Sequence, residues 1–182
     1  MQRLIRLRRK SAVTNYKKRI AMLKSGLSRV VIRKSNRGIT MQVVAYEPDG
    51  DKVTASADSR ELKSMGWEPR GNIPTAYLTG LLLAKKASSM KGMDMILDIG
   101  IYRPVKGSVI FAAAKGAQDG GLKVAGQIEI DEKRLSGAHI AEFSAKKDSQ
   151  SKSQFTAYAE AKFDATKIVE RFDSVKKQLM SK

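Results

Sequence analysis

The segment from about Pro74 to Met90 is helix-length and apolar on most sides until Lys85. A helix of that kind has to be buried. Pro74 suits its first turn, Asn72 or Ile73 lies near its cap, and Gly92 ends it. Met95-Ile-Leu-Asp-Ile99 follows, a short strand apolar on both faces, as a central strand is. A helix between two buried strands is a crossover unit, which is right-handed by rule. The chain is thereby confined to the α/β class.

The strands that the crossover joins come earlier. Arg29-Val-Val-Ile-Arg33 is β-branched, Ser35-Asn-Arg-Gly38 is a turn, and Ile39 to Tyr46 is a second strand. Pro48-Asp-Gly-Asp51 is another turn and Lys52 to Ala57 a third strand. The expected fold is α/β: a mixed sheet of three antiparallel strands plus a parallel crossover strand, packed by helices. Asp58 to Met65 reads as a short helical turn, and Ser108 can cap a helix from Val109 to about Gln118 that Gly120-Gly121 stop. On this reading the core is complete by Leu122. The region from Gly126 to Lys152 is polar and mixed, and Lys146 to Ser153 reads as a linker. Beyond it Tyr158, Ala161, Ala165, Ile168, Phe172, Val175 and Leu179 step alternately by 3 and 4. That spacing predicts one last helix, docked on its own domain or on a neighbour. Two early alanines on the seam argue against a self-pairing coiled coil. The expected division is 1–28, a basic N-terminal arm and helix; 29–125, an α/β domain; and 126–182, a linker and C-terminal helical extension.

Charge is distributed very unevenly along this framework. The 182 residues hold 35 Lys and Arg against 18 Asp and Glu, a net charge of +17. No acidic residue precedes Glu47, and 13 of the basic ones lie between Arg3 and Arg37. A run of that length without a balancing carboxylate repels itself. It is either a solvated basic tail and helix face or a surface that meets a polyanion, and a bound anion is the simpler account.

Several function classes drop out. With no cysteine there is no disulfide scaffold, thiolate zinc site or cysteine nucleophile, and one histidine, His139, leaves little for a histidine base. No apolar run approaches the roughly 18 residues of a membrane helix, and MQRLIRLRRK lacks the apolar core of a secretory signal. No membrane partner is therefore expected. Asp58, Glu61, Asp98 and Asp119 lie near element ends and could hold Mg²⁺ in a nuclease of similar α/β fold. Any α/β domain offers acids at such places. Asp98 reads more simply as a buried carboxylate bonded to backbone N–H groups or paired with Arg103. His139 reads as structural or as an RNA contact. Gly116, Gly120 and Gly121 end a helix and so make no phosphate loop. No catalytic constellation is found, and no cofactor or metal is expected.

The binding pattern is richer. Thr14 or Asn15 can cap a helix to about Lys24, with Tyr16, Ile20, Leu23 and Leu27 as its apolar stripe and Gly26 after it. Thr14, Asn15, Tyr16, Lys17, Lys18 and Arg19 combine an amide, a phenol and three cations within two turns. The cations neutralise phosphates, Asn15 can bond a base edge, and Tyr16 either stacks on a base or sugar or begins the apolar stripe. Arg29, Arg33, Lys34, Asn36 and Arg37 decorate the first hairpin, Arg29 and Arg33 on one face with Val31. Arg3, Arg6, Arg8, Arg9 and Lys10 form a basic arm with little apolar surface. The absence of a helix-turn-helix, zinc finger or basic zipper favours RNA over DNA.

Several stretches also look familiar: TNYKKR at 14–19, RKSN at 33–36, GNIPTAYLTG at 71–80, ILDIG at 96–100, RPVKGS at 103–108 and FAAAKGAQDGGL at 111–122. In that order, over about 110 residues, the chain resembles the universal 5S rRNA-binding "L eighteen" family of the large ribosomal subunit, in its archaeal form. The resemblance implies a structural, non-enzymatic protein of the cytoplasmic ribosome. It implies as partners 5S rRNA, the large rRNA of the central protuberance and neighbouring ribosomal proteins, among them the other 5S rRNA-binding protein, "L five". The RNA contacts implied are Thr14, Asn15, Tyr16, Lys18, Arg19, Arg33, Lys34, Ser35 and Asn36, followed by the loops at Arg70–Asn72 and Arg103–Ser108 with Lys106. The bacterial form ends near Gly121 or Leu122, and an extension of about 60 residues beyond it fits the archaeal size.

Overall fold

A computed structural model describes residues 14–146, 155–161 and 163–181. The basic arm at 1–13 and nearly all of the expected linker lie outside the described residues. Helix α1 spans Tyr16–Leu23, and the strands that follow are β1 (Ser28–Lys34), β2 (Ile39–Ala45) and β3 (Lys52–Asp58). A 3-10 turn over Ser59–Met65 is held by a capping box in which Asp58 and Glu61 each bond the other's end of the turn. Then come α2 (Ile73–Lys86), a 3-10 turn at Ser88–Met90, β4 (Asp94–Asp98), α3 (Val109–Asp119) and β5 (Lys123–Val124). Two short helices, α4 (Glu132–Ser136) and α5 (Ala138–Ala145), precede α6 (Thr156–Glu160), a 3-10 turn at Ala165–Lys167 and α7 (Ile168–Met180).

The sheet runs β3-β2-β1-β4-β5. β1 pairs antiparallel with β2, β2 with β3, and β4 parallel with both β1 and β5. The expected meander and crossover are therefore present, and β5 is an added edge strand. Val30, Ile32, Met41, Val43 and Met95 are fully buried on one face of the sheet, beneath α2 and α3. Asn72 caps α2 by accepting from the Thr75 N–H at 3.1 Å. The two helices touch backbone to backbone. A methyl group at Gly80 would lie 2.1 Å from the Ala113 carbonyl oxygen, and one at Gly116 2.1 Å from that of Tyr77. Only glycine fits at either position.

The C-terminal part differs from expectation in two ways. It is not one helix: the chain turns between Glu160 and Ala165, where the Phe163 N–H donates to the Tyr158 carbonyl at 2.8 Å. Asp164 then opens the next turn by accepting from the Thr166 N–H at 3.0 Å. The turn swings Phe163 inward, leaving Ala161 exposed while the other seam residues are buried. Nor does the core stop at Leu122. Phe163 and Phe172 meet Trp67 edge-on at 5.7 and 6.3 Å, and Phe172 lies 5.6 Å from Tyr77. Lys85 on α2 donates to the carbonyls of Gln178 and Ser181, each at 3.1 Å, which ties down the last turn of α7.

Candidate nucleic-acid interface

Side chains alternate across a strand. With Val30 and Ile32 in the core, Arg29, Val31 and Arg33 face the opposite side of the sheet, away from α2 and α3. Val31 stands between Gln42 on β2 and Asp98 on β4, and Arg33 pairs with Thr40. Val31, Thr40, Gln42 and Ile96 are half-buried there.

An alternating row of charges runs the length of this face. Arg19 on α1 reaches Asp51, in the β2–β3 turn, at 2.6 Å. The same carboxylate oxygen lies 2.8 Å from Nη2 of Arg29. Nη1 of Arg29 faces Asp98 at 3.4 Å, and Arg33 meets the other oxygen of Asp98 at 3.3 Å. Asp98 also accepts from the Gly100 N–H at 2.8 Å, and its backbone carbonyl accepts from Arg33 at 3.0 Å. The buried reading of Asp98 holds, but its partners are Arg29 and Arg33 and not Arg103. The side chain of Arg29 is 2% exposed and that of Arg33 is 48% exposed. The expectation that both decorate the surface is corrected for Arg29: two carboxylates draw it in, and it offers no face to a phosphate. Burial raises the Asp51 carboxyl, but the guanidinium groups of Arg29 and Arg19 outweigh it and hold it below its ordinary value.

At one end of the row stands α1. Asn15 caps it by accepting from the Lys18 N–H at 3.1 Å, which commits its side-chain oxygen to the helix. Tyr16 and Thr14 are half-buried, while Lys17 and Lys18 are exposed. The expected stripe does not enter the core: no residue of α1 is buried, and Ile20 is exposed.

At the other end are the β1–β2 hairpin and two loops. Ser35 closes the hairpin, its hydroxyl accepting from the Gly38 N–H at 3.0 Å and donating to the Gly38 carbonyl at 3.1 Å. Lys34, Asn36 and Arg37 are exposed. Tyr102 donates to the Lys34 carbonyl at 2.6 Å, which draws the loop after β4 against the hairpin. Arg103 and Lys106 on that loop are exposed. Ser108 occupies the cap position of α3 without a side-chain capping bond, and its hydroxyl is buried. Gly71 packs on the hairpin, where an added methyl would stand 3.1 Å from the Asn36 carbonyl. Its neighbours turn toward the C-terminal segment: Asn72 donates to the Tyr158 hydroxyl at 2.9 Å, and Arg70 lies 5.3 Å over the Tyr158 ring. Burial raises the Tyr158 phenol, outweighing Asn72 and Arg70.

The acids weighed for a metal stay apart. Asp58 bonds Thr40, Glu61 pairs with Lys86, and Asp119 accepts from Tyr77 and pairs with Lys115. Among the described residues no group of three or more His, Asp or Glu could hold a metal ion. No helix among them is long and apolar enough to cross a membrane. His139 is exposed in the first turn of α5. The role of Asp51 was not visible in sequence, where it reads as a turn residue. The one available cue was a carboxylate in the first acidic turn after a long cationic stretch.

Known proteins add to this geometry. Residues 2–96 match the family model described as "Ribosomal large subunit proteins 60S L5, and 50S L18". The chain is 39% identical over 180 residues to the large ribosomal subunit protein uL18 of Methanococcus maripaludis, covering 96% of this chain and 93% of that protein. It is 41% identical over 176 residues to the large ribosomal subunit protein uL18 of Haloarcula marismortui, covering 95% of this chain and 90% of that one.

Proposed function

The chain belongs to the family of large-subunit ribosomal proteins L5 and L18, and from that premise we propose that it is a structural protein that binds 5S rRNA. In this reading it seats 5S rRNA against the large rRNA in the central protuberance of the cytoplasmic ribosome, beside the other 5S rRNA-binding protein. It turns over no substrate. The observation that carries the reading is the pair of exposed cationic groups at opposite ends of the sheet. Lys17 and Lys18 stand at one end, and Arg33, Lys34 and Arg37 at the other. The seven residues of β1 separate them by about 20 Å at the usual strand rise. Two groups so spaced grip a folded RNA at two places and read its shape more than its sequence, as proteins do with A-form RNA. Arg103 and Lys106 extend the second group, and the arm at Arg3, Arg6, Arg8, Arg9 and Lys10 adds affinity.

The test is binding at fixed salt to 5S rRNA, to an unrelated structured RNA of equal length and to duplex DNA. Preference for 5S rRNA, recovered intact after incubation with Mg²⁺, is the expected result. Equal affinity for all three overturns the assignment. So does Mg²⁺-dependent cleavage that is lost in Asp98→Asn, which would establish the nuclease alternative.

A further inference from the structure

Helix α1 carries Lys17 and Lys18, yet it contributes nothing to the core. Its attachment to the sheet is therefore of interest. Among the described residues, the only ion pair that joins α1 to the rest of the chain is Arg19 with Asp51 at 2.6 Å. Asp51 is itself fixed from behind by Arg29, which is 2% exposed and anchored in turn by Asp98. The carboxylate thus has a buried partner on the sheet side and, on the helix side, a partner on an element with no buried residue. It also places a negative charge between the cations of α1 and those of the sheet.

We propose that Asp51 is a positioning residue for RNA binding, a carboxylate that holds Arg19, and with it α1, in register with the cations at the far end of the sheet. This rests on the reading of the chain as an RNA-binding protein. Arg29 serves as the fixed post and Arg19 as the strap. The helix is presented in one orientation before RNA arrives, so its cations need not be ordered at the moment of binding. Any carboxylate near the interface repels phosphate, so simple electrostatics and the positioning role make opposite predictions for its removal.

Asp51→Asn raises the net charge by one and keeps the side-chain shape. If Asp51 only repels RNA, the variant binds 5S rRNA more tightly. If Asp51 positions α1, it binds at least about five-fold more weakly, equivalent to ~1 kcal/mol. Asp49→Asn, in the same turn and outside the ion-pair row, is the charge control, and its binding should be unchanged or tighter. Asp51→Glu should recover most of the loss. Amide exchange measured without RNA supplies a second readout: Asp51→Asn should speed exchange at Arg19 to Lys24 and leave β1 and β2 protected. If the sheet loosens as well, Arg19→Gln replaces it in the exchange measurement alone, because that change cuts the same tether and leaves Arg29 paired. Unchanged exchange in α1, or binding by Asp51→Asn as tight as the parent, overturns the proposal. A parent that fails to bind 5S rRNA overturns the functional reading instead, and the exchange data alone then decide whether the tether exists.

Discussion

Gly80 on α2 lies so close to Ala113 on α3 that a single added methyl would stand 2.1 Å from the Ala113 carbonyl oxygen. The obstacle is backbone in the middle of a helix, and no rotamer change relieves it. Gly80→Ala should therefore destabilise the protein by about 1–3 kcal/mol or more, the cost of overpacking a filled core. Helix propensity alone predicts a gain of about 0.5–1 kcal/mol, so the sign of the change in a urea denaturation midpoint decides between them.

The C-terminal helix should behave as core. Phe172 is 4% exposed and contacts Trp67 and Tyr77, so Phe172→Ala is expected to cost about 3–5 kcal/mol. Trp67 is the chain's one tryptophan. Its emission should shift to longer wavelength on removal of residues 155–182, and an unshifted spectrum would mean that these residues do not cover the indole.

Arg29 and the exposed hairpin cations Lys34 and Arg37 should separate stability from binding. Arg29→Ala leaves Asp51 and Asp98 without their buried partner and should cost about 3–5 kcal/mol. It should leave the salt dependence of RNA binding nearly as steep as before. Lys34→Ala and Arg37→Ala should do the reverse: each lowers the log–log salt slope by about 0.7–0.9 if its side chain neutralises one phosphate, with thermal melting unchanged. A steep loss of slope in Arg29→Ala would place that side chain on the RNA.

Acid should act through the carboxylates held in ion pairs. Asp51 and Glu61 both sit below their ordinary values of 3.8 and 4.5: burial raises each, and Arg29 with Arg19, or Lys86 with the Asp58 N–H, outweighs it. A group whose folded value is depressed stabilises the fold fully above its unfolded value and loses that contribution as pH falls through the folded one. Stability should therefore be flat in these groups above about pH 5 and fall below about pH 4. Asp51→Asn should reduce the acid-dependent fall, measured as the denaturation midpoint against pH.

The elements that were legible in the sequence are those that carry their own signal. Alternation and turn residues located β1 to β3 to within a residue, and Asn72-Ile-Pro74 located the start of α2. β5 holds two residues and α4 five, too few for any period to register, although Asp131 and Gly137 do mark the ends of α4. The break after α6 was hidden because the seam on either side of it is buried, so one spacing runs through two helices. Arg29 and Arg33 have the same side chain and the same parity on one strand. Both meet Asp98, reached through a crossover; what separates them is Asp51, which lies in the β2–β3 turn and pairs with Arg29 alone of the two, and neither distance is written in local sequence. The concentration of cations was legible as composition, whereas the row of ion pairs that links some of them was not.

The cover over Trp67 has a consequence in time. The indole is packed by Phe163 and Phe172, which follow it by about 100 residues. At common elongation rates that separation is roughly 5–20 s of synthesis. In the last part of this interval, once β5 at Lys123–Val124 has been made, the nascent chain has all its strands and α2 but not Phe163 and Phe172, and the apolar side of α2 is still uncovered. Completion of the core is thereby ordered: the strands can pair early, while the apolar side of α2 stays uncovered until the last helix arrives.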